Sequence, residues 1–302
     1  MSVLPPAPGG KRLDHFLAEN LPEHSRSRLA DLIARGGVLV DGVRAPKAGH
    51  KLKGGEAVTL AEEMEPRPSH LEPVAMELDV RYEDEDLLVV NKERGLAVHP
   101  APGSRRVTLV HGLLARAHGL SEGSAEYRPG LVHRLDKQTT GLILVAKRNE
   151  VHERLASDLR HRLIERRYAA IVKGQPRHAA FTVDAPLGRD PKRPLARAVV
   201  PEGKAARTHF RVVKRLDQGS LVIARLETGR THQIRVHLAS VGHPVMGDEL
   251  YAPAPYSEGP LQLHAGWLRF PHPVRESTVT VYAPPPEDFV GKEWVSEEEG
   301  WR

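Results

Sequence analysis

RPGLVHRLDKQTTGLILVAK, residues 128–147, decides how this chain is read. Leu142, Ile143, Leu144 and Val145 form a short apolar run of β character, and Thr139, Thr140 and Gly141 mark the turn that enters it. Asp136 therefore sits on a loop at a strand's edge, between the cations Arg134 and Lys137. Opposite charges a few Å away favour the ionised carboxylate. An ionised acid in a basic setting can serve as nucleophile or base toward an anionic substrate. The plainer alternative is a structural ion pair with Arg134 or Lys137.

The wider charge pattern favours the first reading. The chain has 302 residues and a formal net charge of +5, yet Arg128 to Lys173 alone carries +6. The basic field is thus concentrated around Asp136, as a polyanionic partner requires. Residues 287–302 run the other way, at −4. They are expected to form a solvated acidic C-terminal tail that a polyanion would repel. There is no cysteine, so disulfides, thiolate metal sites and thiol nucleophiles are excluded. No apolar stretch reaches the roughly 18 residues of a membrane span, and MSVLPPAPGGKR lacks a signal-peptide core. The expectation is a cytoplasmic protein.

Residues 1–62 read as a separate small unit. Leu13, Phe16, Leu17 and Leu21 recur at helical spacing, as do Leu29, Leu32 and Ile33 after Ser25, and Gly36-Gly37 ends the second run. Val38, Val40 and Val43 alternate around Asp41-Gly42, a hairpin signal. With Arg12, Arg26, Arg28 and Lys53 spaced along it, this unit resembles an S4 RNA-binding domain. Those four residues are its candidate RNA contacts. A basic helical domain that docks to protein is the alternative. Residues 63–73 are rich in proline and acids and suit an extended linker, leaving 74–286 as the catalytic domain. There, strand-like runs at Leu87 to Asn91, Gly141 to Ala146, Tyr168 to Val172 and Leu221 to Leu226 alternate with helical patterns. The clearest helix is Asn149 to Ile164, where Val151, Leu155, Leu159 and Leu163 repeat every four residues and Asn149 can cap.

His133-Arg134-Leu135-Asp136 with Thr139-Thr140-Gly141-Leu142 resembles the active-site signature of the RluA-type pseudouridine synthases. Further blocks stand in that family's order: Tyr82 to Lys92 with Gly95 to Pro100 upstream, then Arg167-Tyr168-Ala169-Ala170, Pro186-Leu187-Gly188-Arg189, Thr228 to Ala239, Gly242 to Val245 with Gly247-Asp248, and Leu263-His264-Ala265. The resemblance implies an α+β fold: a pseudouridine synthase domain with a mixed, largely antiparallel central sheet, plus the small S4-like domain. It also implies isomerisation of uridine to pseudouridine in large-subunit (23S) ribosomal RNA or the immature large subunit. Asp136 is then the essential acid, attacking C1′ or removing the 2′ proton, Tyr168 the residue that stacks on the base, and Arg230 the partner of the aspartate. Arg134 would fill the gap left by the extruded base, with His133 beside it in the RNA-binding set. The chain departs from the family's pattern at Lys92-Glu93, where Lys-Pro is usual, and at Ala196-Arg197, where Lys-Met is usual.

No metal is expected. His232, His237 and His243 are spaced by five and six, which does not align imidazoles on one helical face, and His209 lies elsewhere in the chain. Glycine-rich phosphate loops are absent, no cofactor is implied, and a monomer is expected. Two rival readings are a catalytically silent RNA-binding ribosome-assembly factor and a glycosidic hydrolase. The second lacks an evident carboxylate partner for Asp136.

Overall fold

The computed structural model describes residues 2–21, 26–61, 71–100, 106–116, 120–121, 129–295 and 301. Most of the 63–73 linker lies outside them, as do the side chains of Arg26 and Arg28. The backbone divides into two compact units, residues 1–72 with 120–130, and residues 73–119 with 131–302.

In the first unit the expected helices are α1 (Leu13–Asn20) and α2 (Arg26–Ala34). Leu13, Phe16 and Leu17 of α1 pack with Leu29, Leu32 and Ile33 of α2. The strands are β1 (Ser2–Val3), β2 (Val38–Val40), β3 (Val43–Arg44) and β4 (Val58–Leu60), in the order β1-β4-β2-β3. Asp41 and Gly42, with φ of 50° and 76°, make the tight turn between β2 and β3. Two successive positive φ values match the right-handed twist of a hairpin.

The second unit is built on one sheet. Its elements are β5 (Asp79–Glu83), β6 (Leu87–Lys92), α3 (Leu109–Arg116), β7 (Thr140–Ala146), α4 (Asn149–Arg160), β8 (Glu165–Lys173), β9 (Ala180–Asp184), β10 (Leu187–Arg189) and β11 (Arg197–Val199). They continue with β12 (Arg207–Arg215), β13 (Gly219–Leu226), α5 (Gln233–Ser240), β14 (Leu263–Pro271) and β15 (Thr278–Tyr282). The strand order is β5-β6-β7-β14-β8-β13-β12-β9, with β15 also on β14, while β10 and β11 form a separate hairpin. Only β7 and β14 pair in parallel within this sheet, so it is mixed and largely antiparallel, as expected.

Every residue of β7 is buried, as a strand covered on both faces must be. On one face Leu142 and Leu144 pack with Leu268, Phe270 and the α4 residues Val151 and Leu155. On the other, Ala169 and Ile171 of β8 pack with Leu221, Ile223 and Trp267. Strand alternation therefore puts Arg166 and Tyr168 on the α4 side of the sheet.

Three expectations are corrected. Helix α4 stops at Arg160, because Arg162 turns to a φ of 62° and the Leu163 amide closes back on the Asp158 carbonyl at 2.9 Å. Leu163 is consequently 53 % exposed instead of continuing the apolar stripe. Asn149 is the first residue of that helix, with Arg148 in the capping position and no side-chain cap bond. The acidic C-terminal segment is also no simple solvated extension. Phe289, Val295 and Trp301 are buried against β8, β13 and β14. The Trp301 indole lies against Gly266, where a Cβ would fall 2.2 Å from the ring, and its Nε1–H donates to the Val295 carbonyl at 3.1 Å. Three apolar anchors among the acids outweigh the charge bias of the segment. Trp301→Ala is expected to lower stability by about 3–5 kcal/mol, read by denaturant unfolding.

Gly141 is needed where β7 meets β14. Its φ is 116°, and an added Cβ would sit 2.2 Å from the Ala265 carbonyl oxygen of the paired strand. Gly141→Ala should cost at least about 2 kcal/mol by backbone strain and collision and should lower the thermal midpoint, read by calorimetry.

Candidate active site

The Asp136 loop is fixed from below before any charge acts on it. Leu135 is buried, and the Leu144 amide of β7 donates to His133 Nε2 at 3.1 Å. The Thr139 amide turns back to the Asp136 carbonyl at 3.1 Å. Lys92, at the end of β6, is buried beneath the loop and donates to the carbonyls of Glu93, Leu96 and Lys137 at 2.7, 2.9 and 3.1 Å. It ties the segment after β6 to the residue following Asp136. Burial, partly offset by Asp136 and Glu93, pulls the Lys92 ammonium down to about 7.

The Asp136 carboxylate is held by Arg235 of α5, whose Nη1–H donates to Oδ2 at 3.1 Å. Arg235 is itself clamped by Asp248, with Nε to Oδ2 and Nη2 to Oδ1 both at 2.7 Å. Bidentate, charge-assisted contacts of this kind are the strong class. Burial works against the Arg235 cation, but the hydrogen bonds and charges of Asp248 and Asp136 prevail and raise its pKa above the usual arginine value. Asp248 has a fully buried carboxylate that also accepts from the amides of Leu250 and Tyr251 at 3.0 and 3.3 Å. The Tyr251 ring lies 5.2 Å from the Arg235 guanidinium.

Arg230 does not make the contact expected of it. It is exposed, and its Nε–H donates to the Ala205 carbonyl at 3.1 Å. The helix explains the exchange. It begins at Gln233, after His232 takes a φ of 59°, so Arg230 precedes the first turn and Arg235 lies within it. Nor does the helix carry a side-chain cap from Thr231. The Gln233 side chain instead accepts from the Arg230 amide at 2.9 Å and from the Thr228 hydroxyl at 2.8 Å.

Tyr168 lies on β8 opposite Ala224 and is 4 % exposed. Burial raises its pKa, Arg166 opposes that shift and Asp136 adds to it, so the phenol feels the carboxylate's charge. His232 completes the surroundings, with Nε2 3.9 Å from Asp136 Oδ2 and Nδ1 2.8 Å from the Tyr251 hydroxyl. Burial lowers its pKa, against the pull of Asp136.

The remaining sequence candidates divide by location. Arg134 and Lys137 are exposed on the loop, and the hydrogen-bonded cation on Asp136 is Arg235. His133 is a scaffold residue: burial, reinforced by Arg166, pushes it down to about 3, so it is a neutral acceptor for Leu144. In the first unit Arg12 forks onto Asp14 with two 3.0 Å bonds, and Lys53 is exposed.

The other histidines of this region have partners of their own: His209 with Thr182 and Glu227, His237 with Thr208 and the Ala185 carbonyl, and His243 with the Lys173 carbonyl. Asp84, Asp86 and His272 bring ligand atoms within 4.8 Å of one another. Both Asp84 oxygens are already used, however, by Tyr82, His272 and the amides of Asp86 and Leu87. That cluster closes the turn between β5 and β6.

This arrangement, a clamped aspartate beside a buried tyrosine on a mixed sheet, agrees with what the sequence relationships define. Residues 86–240 match the RNA pseudouridylate synthase family and residues 11–58 the S4 domain. The chain belongs to the RNA pseudouridine synthase family, whose members isomerise uridine in RNA. It is 45 % identical over 282 residues to an uncharacterized RNA pseudouridine synthase of Bacillus subtilis, YlyB, covering 92 % of each chain. It is 41 % identical to the ribosomal large subunit pseudouridine synthase D of Escherichia coli K12, covering 93 % of this chain and 89 % of that one. Human RNA pseudouridylate synthase domain containing 1 superposes with a TM-score of 0.58 at 26 % identity, over 74 % of this chain and 87 % of that one.

Arg235, Asp248, His232 and Tyr251 were missed as site residues by sequence reasoning. The available signal was the pair of arginines in Thr228-Gly229-Arg230-Thr231-His232-Gln233-Ile234-Arg235. Choosing between them needs the helix start. Asp248→Asn should lower kcat about 100-fold by loosening the Arg235 clamp while RNA affinity stays within a few fold, measured by single-turnover kinetics and filter binding.

Proposed function

We propose that the chain converts specific uridines of large-subunit ribosomal RNA to pseudouridine, with Asp136 as the essential group. The observation that carries the chemistry is the division of labour on the carboxylate. Arg235 and His232 both face Oδ2, while Oδ1 accepts no hydrogen bond among the described residues. One oxygen is thus oriented and the other is open to a sugar, either to add to C1′ or to take the 2′ proton. The isomerisation moves one glycosidic bond within a nucleotide, so it calls for no redox partner.

The ribosomal substrate is supported by the 41 % identity, across most of both chains, to a ribosomal large subunit pseudouridine synthase. A uridine in folded RNA must leave its stack, at a cost of a few kcal/mol. Arg134, exposed on the same loop as Asp136, would stack in the vacated space. Tyr168 supplies the aromatic surface against which the base turns. The S4 unit adds phosphate contacts that make binding salt dependent. Among the described residues no helix is long and apolar enough to cross a membrane, and we infer a cytoplasmic enzyme that acts as a monomer.

The decisive measurement is tritium release from ribosomal RNA carrying 5-tritiated uridine. Wild-type protein should release tritium on naked large-subunit RNA or immature large subunits, whereas Asp136→Asn should release none and bind RNA within a few fold. Failure of the wild-type protein on both substrates would favour a silent assembly factor.

A further inference from the structure

Among the described residues of the catalytic unit, Arg166 carries a charge whose burial the scheme above leaves unexplained. It is 7 % exposed, and burial depresses its pKa. Among the described residues it has no salt bridge and no side-chain hydrogen bond, and its Nε is sealed from solvent without an acceptor. A buried cation with no counter-ion is destabilising by several kcal/mol. Such a group is retained where an anion arrives.

Its neighbours place it at the reaction. Strand alternation on β8 sets Arg166 on the same face as Tyr168, about 7 Å along the strand. The charges of Arg166 and Tyr168 act on each other, and Tyr168 in turn feels Asp136. Gly229, in the loop before α5, leaves room for the guanidinium, since a Cβ there would lie 3.0 Å from Nη1. His133 is the other group that feels Arg166. Its Nε2 accepts from Leu144, so the neutral ring carries its proton on Nδ1, which is also buried and unpartnered. Two unused donors, Arg166 Nε and His133 Nδ1, therefore lie in the neighbourhood of the ring proposed to carry the base.

We propose that Arg166 forms an anion subsite of the catalytic cleft, filled by negative charge on the bound nucleotide. That charge has two sources, the uracil released in the reaction and the phosphodiester of the target nucleotide, and the depth of the site favours uracil. The inference rests on the isomerase reading of Asp136. When the C1′–N1 bond breaks, its electron pair leaves with N1 and spreads onto O2 and O4. Either an Asp136 oxygen bonds to C1′, a bond that breaks again when the base rejoins, or Asp136 takes the proton from C2′ to leave a C1′=C2′ glycal and returns it to C2′ later. After the base turns, C5 bonds to C1′ and gives up its proton, while N1 gains one. Arg166 donates hydrogen bonds to the charged carbonyl oxygens throughout and exchanges no proton. Removal of one such preorganised donor typically slows a reaction about 100- to 1,000-fold.

The test compares wild type, Arg166→Lys and Arg166→Met on whichever RNA the wild-type protein modifies. Single-turnover rate, RNA affinity across a salt series and thermal midpoint are all measured. For the uracil source, Arg166→Met slows the rate about 100-fold or more with affinity and salt slope unchanged, and Arg166→Lys recovers part of the rate. For the phosphodiester source, Arg166→Met weakens binding and reduces the slope of log K against log salt by about one. In either case the Met variant should be at least as heat-stable as wild type, because an unpaired buried charge has been replaced by an apolar side chain. Wild-type rate and affinity in Arg166→Met would overturn the subsite, and so would a lowered midpoint with losses matching the unfolded fraction. Should wild type ignore large-subunit RNA but modify another RNA, the substrate assignment fails while the Arg166 comparison still reads out.

Discussion

Everything at this site depends on one guanidinium held between two carboxylates. Arg235 donates two hydrogen bonds to Asp248 and a third to Asp136. The two acids are not equivalent. Asp248 is fully buried and also anchored by two backbone amides, so it fixes the arginine, whereas Asp136 retains partial exposure and one open oxygen. A planar fork suits this task because three of its donors lie in one rigid plane. Lysine would supply the charge without the direction. The orientation of the Asp136 carboxylate is thus set by an arginine that is itself fixed from behind.

The same region shows how buried polar groups are made tolerable. Lys92 satisfies all three ammonium donors with carbonyls on two segments, and so converts a buried amine into a brace under the Asp136 loop. Its place at the end of β6, where the chain reads Lys92-Glu93, makes this a backbone role that the following residue need not share. Tyr251 joins the back of the site by accepting from the Arg197 amide and bonding to His232. Hydrogen-bonded chains of this kind rigidify the segments that they join.

Much of this was legible in the chain. The apolar runs that became β6, β7, β8 and β13 announced themselves by length and β-branching, and Asp41-Gly42 announced its hairpin by turn chemistry. Asp136 stands out in the chain as an acid between two cations at the turn before a buried strand. The Arg235 contact was not. Arg230 and Arg235 carry the same group five positions apart, and the choice depends on His232 adopting a left-handed conformation that no local rule for histidine foretells. The buried C-terminal segment was hidden for a different reason. Its six acids dominate any reading of composition, while the energy resides in Phe289, Val295 and Trp301. The end of α4 was obscured by Leu163, whose spacing fits a helix that the chain has already left.

The pairing of β7 with β14 bears on how the protein acquires its activity. Thr140 and His264, hydrogen-bonded across that junction, are 124 residues apart, and Asp136 and Arg235 are 99 apart. Contacts of such long range form late, because their loop-closure entropy must be met before they contribute. Much of the chain between them can reach native secondary structure with the Asp136 carboxylate still unaligned. Competence should therefore be among the last properties gained in folding, and among the first lost when the sheet loosens at its single parallel seam.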